Sequence, residues 1–213
     1  MLDWCDNAYE YVQQLDQEYS NWLCIPKSIR MTSIKPSGTV SLLNGSTPGI
    51  HFPEDEYYIR RIRFGKDSEL LKTLAEAGYN MEEDQYSPNT VCVEFPVHEP
   101  YFQKGKRSVS MWEQLEMAAQ YQHYWADNSV SITVTFKPEE APQIKDALEM
   151  YESRLKAVSF LRYEETGYEQ APYEPITKKQ YEKLIKNINP ITKIETEAQG
   201  AGTKFCTNDS CTL

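Results

Sequence analysis

Two cysteines near the end of the sequence, Cys206 and Cys211, are the residues best suited to redox chemistry. Two thiols in a Cys-x4-Cys spacing can close a small disulfide ring, and they can exchange with another disulfide through a mixed-disulfide intermediate. The preceding residues 199–203 are mostly glycine and small polar residues, a composition typical of flexible linkers. The pattern favours a redox-active tail over the alternative of two terminal cysteines without a function.

A second candidate site is a short loop with one glycine and three hydroxyl side chains. Its residues are Pro36, Ser37, Gly38, Thr39, Val40 and Ser41. Glycine lets a backbone approach a ligand closely, and N–H groups at a helix start bind anions. No Lys-Ser or Lys-Thr follows in the Walker pattern, so the loop is not a P-loop. Phosphate binding and an ordinary turn with a helix cap both remain open.

Three other stretches are ambiguous from their residue types alone. Residues 44–51 suit a turn-rich connector or a site loop, and residues 127–128 suit a helix-to-strand turn or polar site residues. The arginines among residues 60–63 could face a nucleotide or form salt bridges. The remaining cysteines are predicted to be small buried apolar residues: Cys5, Cys24 and Cys92.

Composition limits the classes of protein to consider. The chain has 213 residues and a net charge of −10, so its surface repels nucleic-acid phosphates and no nucleic-acid polymer is expected as a partner. No apolar run of about 18 residues and no signal-peptide pattern is present, which predicts no membrane contact and a cytoplasmic location. Five cysteines without a Cys-x-x-Cys motif, and three scattered histidines, predict no metal site.

Hydrophobic periodicity predicts alternating helices and strands. Helices are expected over residues 3–23, 67–78, 110–126, 138–151 and 177–188. Strands are expected over residues 29–34, 57–64, 90–97, 130–136 and 157–161. This order predicts an α/β fold of about five mainly parallel strands, in an open sheet or as half of a larger barrel. We expect one half-barrel domain over residues 1–190 and a flexible tail over residues 191–213.

Several blocks of the sequence resemble ribonucleotide reductases of the monomeric, adenosylcobalamin-dependent (class II) type, which act on ribonucleoside triphosphates. The blocks cover nearly the whole chain, in the family's order: residues 36–51, 57–63, 125–131, 155–161, 167–177 and the terminal Cys-x4-Cys. The resemblance implies the C-terminal half of a ten-stranded α/β barrel. It implies that residues 36–41 hold the substrate's phosphates, and that Cys206 and Cys211 re-reduce the active site and are themselves reduced by thioredoxin.

The resemblance also implies adenosylcobalamin as the cofactor and a thiyl radical on a finger-loop cysteine. No stretch of this sequence matches that finger loop, so an N-terminal reductase chain carrying the radical cysteine is the expected partner. Two alternatives remain: a non-catalytic remnant or redox-accessory module, and a large-subunit fragment of a diiron-partnered reductase.

Overall fold

The computed structural model describes residues 2–36, 41, 45–163, 169–192, 206–207 and 210–211. Its helices are α1 (Leu2–Leu23), α2 (Leu70–Glu76), α3 (Met111–Tyr124), α4 (Ile144–Tyr151) and α5 (Lys178–Ile185). Its strands are β1 (Tyr57–Gly65), β2 (Asn80–Glu83), β3 (Thr90–His98), β4 (Thr133–Phe136), β5 (Ser159–Arg162), β6 (Tyr173–Pro175), β7 (Cys206–Thr207) and β8 (Ser210–Cys211).

Four strands form an antiparallel sheet in the order β2-β3-β1-β6. β1 and β3 pair along their full lengths, from Tyr57 opposite His98 to Gly65 opposite Thr90. β-Branched and aromatic residues dominate these two strands, which suits the half-buried surface of a sheet. After β1 the chain passes through α2 and β2 and returns as β3, which pairs with β1 on one side and with β2 on the other. Antiparallel pairing permits such short connections between strands.

The main apolar core lies between α3, α4 and the parallel pair β4-β5. Alternate residues before and within β4 point into it, as the sequence predicted: Val130, Ile132 and Val134 are buried and Phe136 packs against them. Helix α3 begins after Ser110, whose hydroxyl accepts a hydrogen bond from the Glu113 backbone N–H. This cap satisfies one of the free N–H groups of the first turn.

Helix α1 ends in a Schellman motif. The Cys24 N–H bonds to the Asn21 carbonyl and the Ile25 N–H bonds to the Ser20 carbonyl, while Cys24 takes a left-handed φ of 53°. Glycine usually occupies this position, because a side chain is disfavoured there. Beyond the motif the chain turns back beside α1, where the Ser28 N–H donates to Asp16.

Two predictions about strands are wrong. Residues 29–34 are extended but pair with no strand among the described residues, because the Asp127 carboxylate takes the Met31 and Thr32 N–H groups and the Asn128 N–H bonds to the Thr32 carbonyl. The expected mainly parallel five-stranded sheet is also not observed: only β4-β5 is parallel, and the described residues form no closed barrel. The short strands β2 and β6 were not predicted, because four and three residues carry little periodic signal.

The predicted helices all form, with shifted ends. Residues 138–143 are a 3₁₀ helix ahead of α4, and Glu69 rather than Asp67 or Ser68 is the N-cap residue of α2. The cap predicted at Thr177 forms, as a capping box with reciprocal bonds between Thr177 and Gln180. No helix within the described ranges is long and apolar enough to cross a membrane.

Candidate functional site

The backbone on either side of the predicted phosphate loop is held in two places. Of the six loop residues, Pro36 and Ser41 are described, and Ser37, Gly38, Thr39 and Val40 lie outside the described residues. The Ser46 N–H bonds to the Ser41 carbonyl at 3.0 Å. Ahead of the loop, a Cβ on Gly49 would lie 2.7 Å from the Lys35 carbonyl oxygen.

Gly49 therefore has two reasons to be glycine. Its φ is +59°, a left-handed conformation that side chains disfavour, and its contact with Lys35 leaves no room for a Cβ. This close approach brings residues 45–51 against the start of the loop. The turn-rich connector noted in the sequence is thus part of the loop's support.

His51 links this support to strand β4. Its Nδ1 lies 2.9 Å from the Pro48 carbonyl oxygen, and its Nε2 lies 3.1 Å from the Thr133 backbone nitrogen. A carbonyl can only accept and a backbone N–H can only donate, so Nδ1 carries the hydrogen and Nε2 accepts. Both ring nitrogens are occupied in this tautomer, and His51 fixes the spacing between the connector and β4.

A groove of about 590 Å³ opens beside the connector. One wall is the connector itself, from Gly45 to Pro53. The opposite wall combines aromatic and polar side chains from the segment after β3 and from α3, including Phe102, Lys104 and Tyr121. The groove is lined by Gly45 and Ser46, beside the Ser41–Ser46 hydrogen bond, and contains a cation, Lys104, which is paired with Glu113 at 2.7 Å.

Asp127 anchors the segment that leads to the loop. Its carboxylate accepts hydrogen bonds from the Met31 N–H at 2.7 Å, the Thr32 N–H at 3.2 Å and the Tyr9 hydroxyl at 2.6 Å. The Thr32 hydroxyl donates to the Trp125 carbonyl. The next residue, Asn128, accepts from Arg30 at 2.9 Å. One aspartate thus joins α1, the end of α3 and the residues before the loop.

The hydrogen bonds also set the ionisation of Asp127. Partial burial alone would raise the pKa of its carboxyl, but the donors from Tyr9, Met31 and Thr32 outweigh burial and lower it. The same contact raises the pKa of the Tyr9 hydroxyl, which donates to a negative oxygen. Asp127 is therefore a charged anchor. The sequence favoured a plain helix-to-strand turn at residues 127–128, and it gave no sign of the partners about 95 residues away.

The arginines of β1 form salt bridges and backbone contacts rather than facing the groove. Arg60, Arg61 and Arg63 each donate to a carbonyl in residues 170–172. Arg61 also pairs with Glu94 at 2.7 Å, and Arg63 pairs with Asp84 at 3.3 Å. Of the two alternatives left by the sequence, the partner salt bridges are the ones observed.

The backbones of Cys206 and Cys211 lie opposite each other. They are the outer pair in the two-residue antiparallel ladder of β7 and β8. Of the other cysteines, Cys92 is buried as predicted, and burial raises the pKa of its thiol. The same prediction is wrong for Cys24, which is exposed at the end of α1, and Cys5 is half-buried.

Comparison with known proteins identifies the fold. The family model for the ribonucleotide reductase barrel domain matches residues 28–160, which is more than half of the chain. The chain belongs to the ribonucleotide reductase family. The matched part of this reductase chain includes the loop, the connector, Asp127 and β4.

Named relatives are similar along the reductase chain. It is 48% identical to a probable adenosylcobalamin-dependent ribonucleoside-triphosphate reductase of Dictyostelium discoideum, with 100% of the chain and 29% of that protein aligned. It is 45% identical to the adenosylcobalamin-dependent ribonucleoside-triphosphate reductase of Euglena gracilis, over 98% of the chain and 30% of that protein. The resemblance to adenosylcobalamin-dependent ribonucleoside-triphosphate reductases, predicted from the sequence, is therefore confirmed.

A solved structure supports the same assignment. The crystal structure of a B12-dependent (class II) ribonucleotide reductase superposes with a TM-score of 0.78 at 41% identity, over 88% of the reductase chain and 27% of that protein. The chain thus spans less than a third of the length of each of these three relatives. The sequence supported an α/β reductase fold, and these matches confirm it.

The described residues contain no group of three or more His, Cys, Asp or Glu side chains that could hold a metal ion. Both ring nitrogens of His51, the histidine beside the groove, are taken by backbone groups. The contacts of His51 therefore position the backbone of the connector and of β4.

Proposed function

We propose that this chain is the substrate-phosphate and re-reduction part of an adenosylcobalamin-dependent ribonucleoside-triphosphate reductase. The complete enzyme would convert a ribonucleoside triphosphate and a dithiol into the 2′-deoxyribonucleoside triphosphate, a disulfide and water. The observation that carries the proposal is the 48% identity to a reductase of that name along the whole chain. The remaining reductase portion, with the radical cysteine and the cofactor site, would come from outside these residues.

Residues 36–41 would bind the triphosphate of the substrate through their backbone N–H groups and hydroxyls. Support comes from the anchoring of both sides of the loop, by Asp127 before it and by the Ser41–Ser46 hydrogen bond after it. A loop held at both ends loses less conformational entropy when it binds a ligand, which favours affinity. The net charge of −10 makes such a local device necessary for an anionic substrate.

Cys206 and Cys211 would return electrons to the active site. In the proposed step their two thiols become a disulfide, while the active-site disulfide takes up the two electrons and two protons and becomes two thiols. Thioredoxin would then reduce the tail disulfide by the same exchange. The opposed positions of the two residues in β7 and β8 support a pair that works together. We propose residues 191–213 as the redox tail of the half-barrel domain.

Reconstitution tests the function. The chain would be combined with the part of the Dictyostelium relative outside the matched region, and product would be measured with adenosylcobalamin, ribonucleoside triphosphate and a dithiol. We expect deoxyribonucleoside triphosphate only when both proteins and the cofactor are present. A verified complex without cofactor-dependent product would refute the proposal.

The cysteine pair has its own test. Cys206→Ser and Cys211→Ser should each abolish turnover driven by thioredoxin but retain turnover driven by a small dithiol, which reaches the active site directly. Cys24→Ser is the matched control, because Cys24 is exposed but distant in sequence from the tail. Equal loss with both reductants would show that the pair has another role.

A further inference from the structure

Helix α1 exposes an aromatic face. The sequence predicts an amphipathic helix here, because apolar residues recur at steps of three and four: Trp4, Ala8, Tyr11, Leu15, Tyr19 and Trp22. Leu15 is half-buried, but the other five are exposed, with Trp4 and Trp22 exposed by 81% and 69%. We call these five exposed residues the aromatic stripe.

A different face of α1 attaches the helix to the rest of the chain. Tyr9, which bonds to Asp127, and Ser20, which is buried, lie on the attached face. At 100° per residue these two residues lie about 130° around the helix from the centre of the stripe. The rest of the chain thus covers one side of the helix and leaves the stripe exposed.

The size of the stripe marks an interaction site. Its four aromatic side chains each offer about 150–250 Å² of surface, and every one of them is at least half exposed. Together they expose several hundred Å² along one side of α1, and exposed apolar area of this size on monomers commonly serves binding. More large apolar residues follow directly in the sequence: Leu23, Ile25 and Ile29, with Ile29 exposed by 95%.

The charge around the stripe defines its partner further. The helix carries five acidic residues and no lysine, arginine or histidine. Four of the acidic residues are exposed: Asp3, Asp6, Glu10 and Glu18. Of these, Glu18 lies nearest to the stripe, about 60° around the helix from its centre. A partner surface that combines an apolar area with lysine or arginine complements this acidic helix.

We propose that the aromatic stripe is the docking surface for the remaining portion of the same reductase. This inference rests on the proposed function and names the surface through which that function is assembled. The chain spans 29% of its Dictyostelium relative, so more than two thirds of such a protein lies outside these residues and must contact them somewhere. The stripe is an apolar surface of suitable size, and it lies on the helix that also holds the segment before the loop.

A binding experiment tests the surface. The probe is the purified part of the Dictyostelium relative outside the matched region, titrated with the chain by calorimetry. Trp4→Ser combined with Trp22→Ser should weaken binding about 30-fold or more, since buried tryptophans at interface centres commonly contribute most of the affinity. Asn7→Ser combined with Gln14→Ser is the control, because both residues are exposed polar positions on the same helix. We expect the control to bind within about twofold of the wild-type chain.

Circular dichroism of each variant shows whether α1 still forms. Folded stripe variants that bind as tightly as the wild-type chain would overturn the proposal, and so would a wild-type chain that binds no probe. Product formation by the wild-type complex is measured in the same samples. A complex that depends on the stripe but makes no product would leave the docking surface standing and reject the proposed function, so the two failures are distinguishable.

Discussion

The antiparallel sheet β2-β3-β1-β6 and the parallel pair β4-β5 differ in which groups take the hydrogen bonds of their strands. In the sheet, four strands of the chain pair with one another, and a network of arginines and carboxylates ties β1 to its neighbours. In the parallel pair, β4 has a strand on one side, and on the other side its N–H groups at Thr133 and Thr135 bond to the side chains of His51 and Gln114.

The difference has a consequence for the candidate site. Strand pairing distributes hydrogen bonds over many residues, whereas the outer side of β4 depends on two side chains. One of those side chains, His51, belongs to the connector that supports the predicted phosphate loop. The region nearest the proposed chemistry is therefore held by single contacts, each of which can be removed by one substitution.

The largest effect is expected in the sheet. Arg61 and Glu94 form an ion pair with side chains exposed by only 10% and 12%. Arg61→Leu leaves the carboxylate of Glu94 buried with Asn80 as its remaining described polar partner, which should lower the free energy of unfolding by about 3–5 kcal/mol. Urea denaturation measures this loss. Lys66→Leu, which breaks the exposed pair with Glu83, should lower the free energy of unfolding by less than about 1 kcal/mol. Equal losses in the two variants would contradict the expected difference between a buried and an exposed ion pair.

A smaller loss is expected at the capped side of β4. The Gln114 amide, 5% exposed, accepts from the Thr135 N–H at 3.0 Å and donates to its carbonyl at 2.8 Å. Gln114→Leu leaves both buried backbone groups unpaired and should destabilise the chain by about 2–3 kcal/mol. Gln120→Leu, which loses one contact with Glu116 on the same helix, should cost about 0.5 kcal/mol or less. Thermal unfolding of the two variants decides whether side-chain capping matters.

The Asp127 anchor is expected to affect substrate binding more than stability. Asp127→Leu removes the acceptor for the Met31 and Thr32 N–H groups, at a cost of about 1–2 kcal/mol in stability. In the reconstituted reductase it should raise KM for the ribonucleoside triphosphate about 10-fold with little change in kcat, because a looser loop weakens ground-state binding. Asp127→Asn can keep the backbone contacts through its carbonyl oxygen and should restore most of the affinity. A loss of kcat alone would argue against a positioning role.

The smallest effect depends on pH. Hydrogen bonds from Arg154 lower the pKa of Glu116 from 4.5 to about 2. Both side chains are about 40% exposed, so solvent limits the pair to about 0.5–1 kcal/mol. A lowered pKa means that the stabilisation is complete above pH 4.5 and is lost as the pH falls towards 2. The stability difference between the wild-type chain and Glu116→Gln should therefore shrink on acidification, and a constant difference would show that the charge of Glu116 contributes nothing.

The sequence predicted local structure well and long-range structure poorly. The helices, the strands β1 and β3, and the apolar face through Val134 follow from periodicity, which depends only on neighbouring residues. The direction of strand pairing does not, because helices between strands allow parallel pairs without requiring them. Here β1 and β3 are antiparallel although α2 lies between them.

The candidate site shows the same division. The loop and the cysteine pair were recognisable as motifs, since each is a short run of residues with its own chemistry. The role of Asp127 was left open, with a plain turn favoured, because that role depends on Tyr9 and Met31, which only the fold brings near. Helix α1 is the clearest case: it forms as periodicity predicts, but of its recurring apolar residues only Leu15 is even half-buried in this chain.

Gly49 constrains how this reductase can evolve. Every replacement available by a single-nucleotide change in a glycine codon adds a Cβ, and a Cβ here would lie 2.7 Å from the Lys35 carbonyl oxygen. No missense step at that codon therefore preserves the local geometry. Any inherited adjustment of this corner of the molecule must come from surrounding codons while position 49 stays unchanged.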